Sequence, residues 1–358
     1  LDSNSRISLS NNDSNTGNTV FGYSAFNTSS DNASDNNVAI GHLAMGTGSV
    51  AGADYNTVVG YRAGDDITSG DKSVYIGAWA GDASADVDNA TAVGYAAMGS
   101  GTTTNGADGT TAIGYYALNA LTSGGGNVAV GYAALDAVVG GSHNTAIGYD
   151  ALTTAAGNAS HNTAVGRDAL KTWNVNGDGN NTAVGSEAGA ALTTGVSCVL
   201  IGAEAGKAAQ DVDGLVLIGD NAGKTLNSSN ADNTVAVGRD ALVALTSGNS
   251  NVAVGAYALD AVTVGDNNTA VGQNAGGALN SNDGNDDCTL IGAGAGLNAA
   301  TATATTAVGY SAGRWYGNST GNNATGYQNR CTFIGSSTQA SSNTPTNQIV
   351  IGDNATGQ

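Results

Sequence analysis

The 358-residue chain carries 10 Lys and Arg against 29 Asp and Glu, for a formal net charge of −19 and a pI near 4.1, and it contains 55 Gly and one Pro. So acidic a chain, with no basic patch, is excluded from nucleic-acid binding. No apolar run approaches the roughly 20 residues that a bilayer-spanning helix needs.

Residues 1–17 read as a lead-in strand or connection, and from residue 18 onwards a single phrase returns. In HNTAIGYDALTTAAGNASHNTAVGRDAL, residues 143–170, it occurs twice. Aligned on its glycine it falls at Gly22, Gly41, Gly60, Gly77, Gly94, Gly114, Gly131, Gly148, Gly166, Gly185, Gly202, Gly219, Gly238, Gly255, Gly272, Gly292, Gly309, Gly335 and Gly352. Up to Gly309 the interval is 17 to 20 residues, most often 17, a period that belongs to solenoids.

Counted from this glycine as position 0, position −1 is apolar in every copy, from Phe21 and Ile40 to Ile334 and Ile351. Position −3 is Thr, Val or Ile, as at Thr145, Val199, Thr269 and Ile349. β-Branched residues two apart share one face of a strand. The pair therefore predicts a short strand whose inward face it forms, with the intervening Ala146, Ala164 or Ala183 facing the other way. Position +3 is Ala except at Thr338, and a methyl held through so many copies reads as a steric limit set by neighbouring backbone. The glycine reads as a corner that a Cβ blocks. After a variable Leu, Met or Gly comes a stretch rich in Thr, Ser, Gly, Asn and Asp, which is turn chemistry and holds the length variation. Position −4 is Asn at Asn18, Asn37, Asn56, Asn127, Asn144, Asn162, Asn181, Asn251 and Asn268, where stacked amides can hydrogen-bond along the axis of a cross-β stack.

An amphipathic helix is opposed by the Gly in every phrase and by poor helix propensity nearly throughout. The chain is expected to be all-β: a parallel β-solenoid of about 19 coils, in which stacked units bury what no single unit can. At about 4.8 Å per coil it makes a rod on the order of 90 Å long. Regular repeats fill 18–312. Residues 313–330, GRWYGNSTGNNATGYQNR, break the pattern and gather Arg314, Trp315, Tyr316, Tyr327 and Arg330. Such a cluster suits carbohydrate or protein recognition; it equally suits an insertion that plugs a chain–chain contact or covers the solenoid. Residues 331–358 form the final coils.

Candidate sites follow from the register. Tyr occupies position +1 at Tyr23, Tyr61, Tyr95, Tyr115, Tyr132, Tyr149 and Tyr310, and Tyr95, Tyr115, Tyr132 and Tyr149 fall in successive units. Their rings can stack as a ladder, either as a structural or interchain stack or as a sugar-binding surface. His143 and His161 share position −5 in adjacent units and are the best metal candidate, though without an acidic or cysteine ligand at comparable register. The Asp-rich stretches 86–89, 211–214 and 282–287 offer oxygen ligands for Ca²⁺ but match no calcium motif; they also read as solvated turns. Cys198, Cys288 and Cys331 take the Asn slot, too far apart along the axis for an intrachain disulfide framework. Glu187 and Glu204, the only Glu, form a surface column without the cleft that paired-carboxylate catalysis needs. No cofactor is called for. Ice binding is a further alternative because Thr recurs at −3, but its alternation with Val points to a buried column.

The N-T/S-V/A-A-I/V-G phrase with Ala at +3 resembles the head repeats of YadA-like trimeric adhesins and is similar to repeats of phage tail fibres. The opening SRISLSNNDSNTGNTVFG, residues 5–22, and the closing NQIVIGDNATG, residues 347–357, resemble phage fibre proteins in particular. The resemblance implies a left-handed β-roll and a homotrimer. It further implies a virion-surface, extracellular or cell-surface location, and attachment to a host cell-surface glycan or protein. The repeat here is longer than the adhesin head's, and neither a heptad stalk nor an outer-membrane anchor accompanies it. The expected function is a non-enzymatic spacer or receptor-binding fibre segment; the alternatives are a self-polymerising extracellular filament or an ice- or calcium-binding solenoid.

Overall fold

The computed structural model describes residues 7–8, 16–26, 34–48, 50–101, 103–155, 157–279, 287–297, 301–313, 327–341 and 345–357. Apart from two single-turn 3-10 segments, Asn105–Ala107 and Ser229–Ala231, its regular structure is all strand. The fold is a parallel β-solenoid in two compact units, Leu1–Asn180 and Asn181–Gln358.

In the first unit the described residues form one three-residue strand per repeat glycine, from Thr19–Phe21 to Thr163–Val165. Successive strands pair parallel and in register, as where Thr145, Ala146 and Ile147 face Thr163, Ala164 and Val165. The lead-in contributes Ile7–Ser8, which lies antiparallel on Thr19–Phe21. The second unit repeats the scheme from Thr182–Val184 to Ile349–Ile351. Within it Thr301–Thr303 pairs parallel with Tyr327–Asn329, so the last residues of the pattern-breaking segment rejoin the regular coil.

The strand faces are the reverse of the sequence expectation. In each strand it is the central residue that is buried, while positions −3 and −1 are half-buried or exposed. Ala146, Ala164 and Ala183 are core, and the β-branched pair points outward. The reason is parity. The side-chain period of a strand is two, so position −2 shares its face with the Asn column at −4, and that column is buried from Asn18 to Asn268. Burying Asn and burying the β-branched pair are mutually exclusive.

The Asn column satisfies its own hydrogen bonds between coils. Asn144 Nδ2 donates to the Ala159 carbonyl (2.7 Å), and Asn144 Oδ1 accepts the Asn162 backbone N–H (3.0 Å). Inside, the coils are filled by position −2, the residues at +3 and +4, and in many coils an apolar residue at +7 such as Ile67, Leu121, Trp173 or Leu245. Volumes are exchanged between −2 and +4. Where +4 is Leu, as at Leu118, Leu135, Leu152 and Leu242, position −2 is Ala112, Ala129, Ala146 and Ala236. Where −2 is Tyr75, Leu200, Leu217, Leu290 or Phe333, Gly stands at +4 in the coil before it, and in its own coil too except after Phe333, where +4 is Gln339. A Cβ at Gly81 meets the Tyr75 ring, and one at Gly223 meets both Leu217 methyls.

The corners use left-handed backbone at fixed positions. Positions −5, +2 and +4 carry φ near +50 to +60° even for non-glycine residues, as at His143 (58°), Asp150 (52°) and Leu152 (53°). Position 0 differs: at Gly148 φ is 143°, a region essentially restricted to glycine, and an added Cβ there collides with the carbonyl of Gly166 in the next coil. Gly is required by both conformation and close approach.

Candidate functional site

The outward strand face presents apolar side chains to solvent in both units. In the first unit Ile76, Ile113 and Ile147, and in the second Val184, Ile201, Val271, Ile291 and Ile334, each expose between 36% and 42% of their surface. Beside this column the Thr or Val at −3 is half-buried but outward. The Thr/Val column is therefore not the buried one expected. An outward apolar residue in every coil, half-buried at Val93 and Val130 and exposed at Ile113 and Ile147, makes an apolar row of the kind that marks an interface.

At position +1 of the first unit the strip is joined by aromatic rings. Tyr95, Tyr115, Tyr132 and Tyr149 stack nearly parallel, with centroids 5.3, 5.2 and 4.9 Å apart and planes within 10°. The ladder extends further than the Tyr pattern indicated. Tyr23, His42, Tyr61, Trp79 and Tyr95 follow one another at 5.1 to 5.4 Å, giving eight rings in eight successive coils. His42 is a +1 residue hidden by being non-tyrosine, and Trp79 reaches the column from +2. The ladder tyrosines are all exposed.

His143 and His161 do come together, with centroids 5.3 Å apart and planes at 8°. Parallel rings at that separation direct their in-plane lone pairs past one another rather than to a shared metal position. An acidic neighbour that register reasoning missed, Asp178, holds His161 Nδ1 at 2.8 Å. Among the described residues no three His, Cys, Asp or Glu side chains converge to hold a metal.

The acidic stretches bond across coils. Asp86 Oδ1 accepts from Thr68 Oγ1 (2.6 Å) and Ser69 Oγ (2.7 Å), and these hydroxyls hold its carboxyl below the usual carboxylate range. Thr194 and Thr193 do the same for Asp211. A second acidic column, at −6, was legible but overlooked: Asp35, Asp54, Asp71, Asp88 and Asp108 each accept the backbone N–H of position −6 in the preceding coil, at 2.6 to 2.9 Å. Of 282–287 only Asp287 lies among the described residues.

Glu187 and Glu204 are bridged by Lys207 at 2.5 and 3.1 Å, and Lys224 also pairs with Glu204. Lys224 and Lys207 hold the Glu204 carboxyl below its ordinary value, the opposite of what a general acid at neutral pH needs. The fully buried Asp65 pairs with Arg62 Nη2 (2.8 Å), whose Nε lies 3.5 Å from Asp82. Burial pushes the Asp82 carboxyl up to about 6, against the pull of Arg62. Cys198, Cys288 and Cys331 are buried thiols; the Cys198 thiol donates to the Val212 carbonyl (3.3 Å), and burial pushes it up to about 11.

Of the cluster at 313–330, Arg314, Trp315 and Tyr316 lie outside the described residues, as does the side chain of Tyr327. Arg330 is exposed at position −5, its N–H donating to the Thr303 carbonyl (2.9 Å). Set against known proteins, the chain matches no family model and no curated protein.

Proposed function

We infer that the chain is a structural segment of an attachment fibre, a YadA-head-like or tail-fibre-like solenoid whose copies pack side by side through the outward strand face. The observation that carries this reading is the outward apolar residue at −1, which recurs once per coil in both units, half-buried in some coils and exposed in others. A surface with one apolar residue every strand spacing is matched along its whole length only by a partner with the same axial period, and the chain itself is such a partner. Three copies are expected from the repeat's resemblance. The assembled fibre acts as a rigid spacer that holds a receptor-binding part against a host surface glycan or protein, outside the cell or on a virion, without chemistry of its own.

Paired substitutions Ile113→Glu and Ile147→Glu test it. Both side chains point outward, so the fold is expected to survive, with an unchanged β circular-dichroism spectrum, while the assembly falls apart to single chains. An assembly of unchanged mass contradicts the reading.

Ice binding is a second reading, favoured by one observation: the Thr/Val column at −3 lies on the outward face beside the −1 column. It requires the face to remain open, so thermal hysteresis from a single-chain species supports it and hysteresis absent at high protein concentration removes it.

A further inference from the structure

We propose that the eight-ring column of the first unit is a binding track for an extended, uncharged polysaccharide, taken up at one sugar ring per coil; this rests on the attachment reading and names its ligand class. The rings from Tyr23 to Tyr149 succeed one another at 4.9 to 5.4 Å without a gap. A single-file row of nearly equal steps fits a repeating polymer better than a compact molecule.

Period and charge select among polymers. An extended peptide presents side chains to one side every 6.6 Å or so, and falls out of step with these rings within a few coils. A polyanion is opposed by the chain's net charge of −19, and the rings themselves offer a cationic chain no carboxylate. A 1,4-linked chain of pyranose rings advances by one ring and one bridging oxygen per unit, close to the ring spacing. Because Tyr95, Tyr115, Tyr132 and Tyr149 cover one another's faces, each presents its edge and hydroxyl. Such an apolar body with a polar tip suits the alternating C–H and O–H groups along a sugar chain. Each contact is weak, and affinity comes from repetition.

The column is also more local than an assembly seam. Aliphatic −1 residues recur in the second unit, whereas position +1 is Arg167 at the end of the first unit and, in the second, Ser186, Ala203, Asp220 and Arg239, with Tyr310 the one aromatic at +1. Packing of copies along −1 does not account for an unbroken file of eight rings in the first unit, where the second has only Tyr310 at +1 and Tyr257 at +2.

Titration calorimetry of the full chain with neutral 1,4-linked glucose and N-acetylglucosamine oligosaccharides, from disaccharide to octasaccharide, tests the proposal. Affinity is expected to rise with each added sugar. The Tyr115→Ala/Tyr132→Ala pair is expected to weaken octasaccharide binding at least tenfold with melting temperature and solution mass unchanged, and the Tyr115→Phe/Tyr132→Phe pair to weaken it less. No binding, binding independent of length, or binding untouched by the Ala pair overturns the track. If the Ala pair instead lowers the solution mass, the ladder is an assembly seam; the track then fails while the attachment reading stands.

Discussion

Gly148 and Gly109 are both glycines with positive φ, yet substitution is expected to act on them very differently. At Gly148 φ is 143° and a Cβ strikes the Gly166 carbonyl; at Gly109 φ is 66° and nothing lies within 4 Å. Gly148→Ala is expected to cost about 3 kcal/mol or more, and Gly109→Ala about 1 kcal/mol, as read from denaturant unfolding. Asp82 makes a pH-dependent contribution. Its folded value, about 6, lies above its ordinary 3.8, so the folded state binds this proton more tightly and the contribution is lost as pH rises through that window. Asp82→Asn is therefore expected to raise the melting temperature at pH 7.5 and to leave it nearly unchanged below pH 4; an equal gain at both values rules out titration as the cause. The columns themselves were legible at this scale, Asn, Ala, Gly and Tyr alike. Their direction was misread because β-branched residues normally pack inward. The narrow coil leaves room at −2 only for Ala when a Leu enters from +4, and Asn144 and Ala146, sharing one parity, already carried that information.

Within a coil, the exchange of volume between −2 and +4 makes a sharper test than any single substitution. Leu217→Ala removes a buried side chain and is expected to cost about 2–5 kcal/mol. Gly223→Leu alone drives a side chain into Leu217 and is also expected to destabilise. Together they recreate the Ala/Leu pairing that Ala236 and Leu242 use, and Leu242 holds φ of 52° without glycine. The double variant is expected to recover more than half of the summed loss in a double-mutant cycle; simple additivity refutes the exchange. This rule escaped the sequence reading because Leu, Met or Gly at +4 looks like noise until it is compared with −2 in the following coil, as Gly64 with Tyr75 or Gly276 with Leu290, 11 and 14 residues away. The +7 core residues were likewise hidden within turn-like stretches, where Leu121 and Trp173 are each surrounded by Thr, Ser, Asn or Gly.

For the molecule as a whole, the fold class was legible from the period alone, since a phrase recurring at nineteen glycines leaves little but a solenoid. Function was less so, because the decisive surface is defined by which face of each three-residue strand is outside, and that depends on the competition for the core. With Ile113, Ile147, Ile201 and Ile291 outward, exposed aliphatic area that water disfavours at about 25 cal/mol per Å² is the driving force that the proposed assembly requires, set against a charge of −19 on each chain. Raised ionic strength is thus expected to tighten the assembly by screening that repulsion. The most direct measurement is the solution mass of the unmodified chain by light scattering at physiological salt. Covering of the outward face by two further copies predicts a uniform species of three times 34.8 kDa; a stable single chain that leaves the Ile/Val column open to water would contradict it.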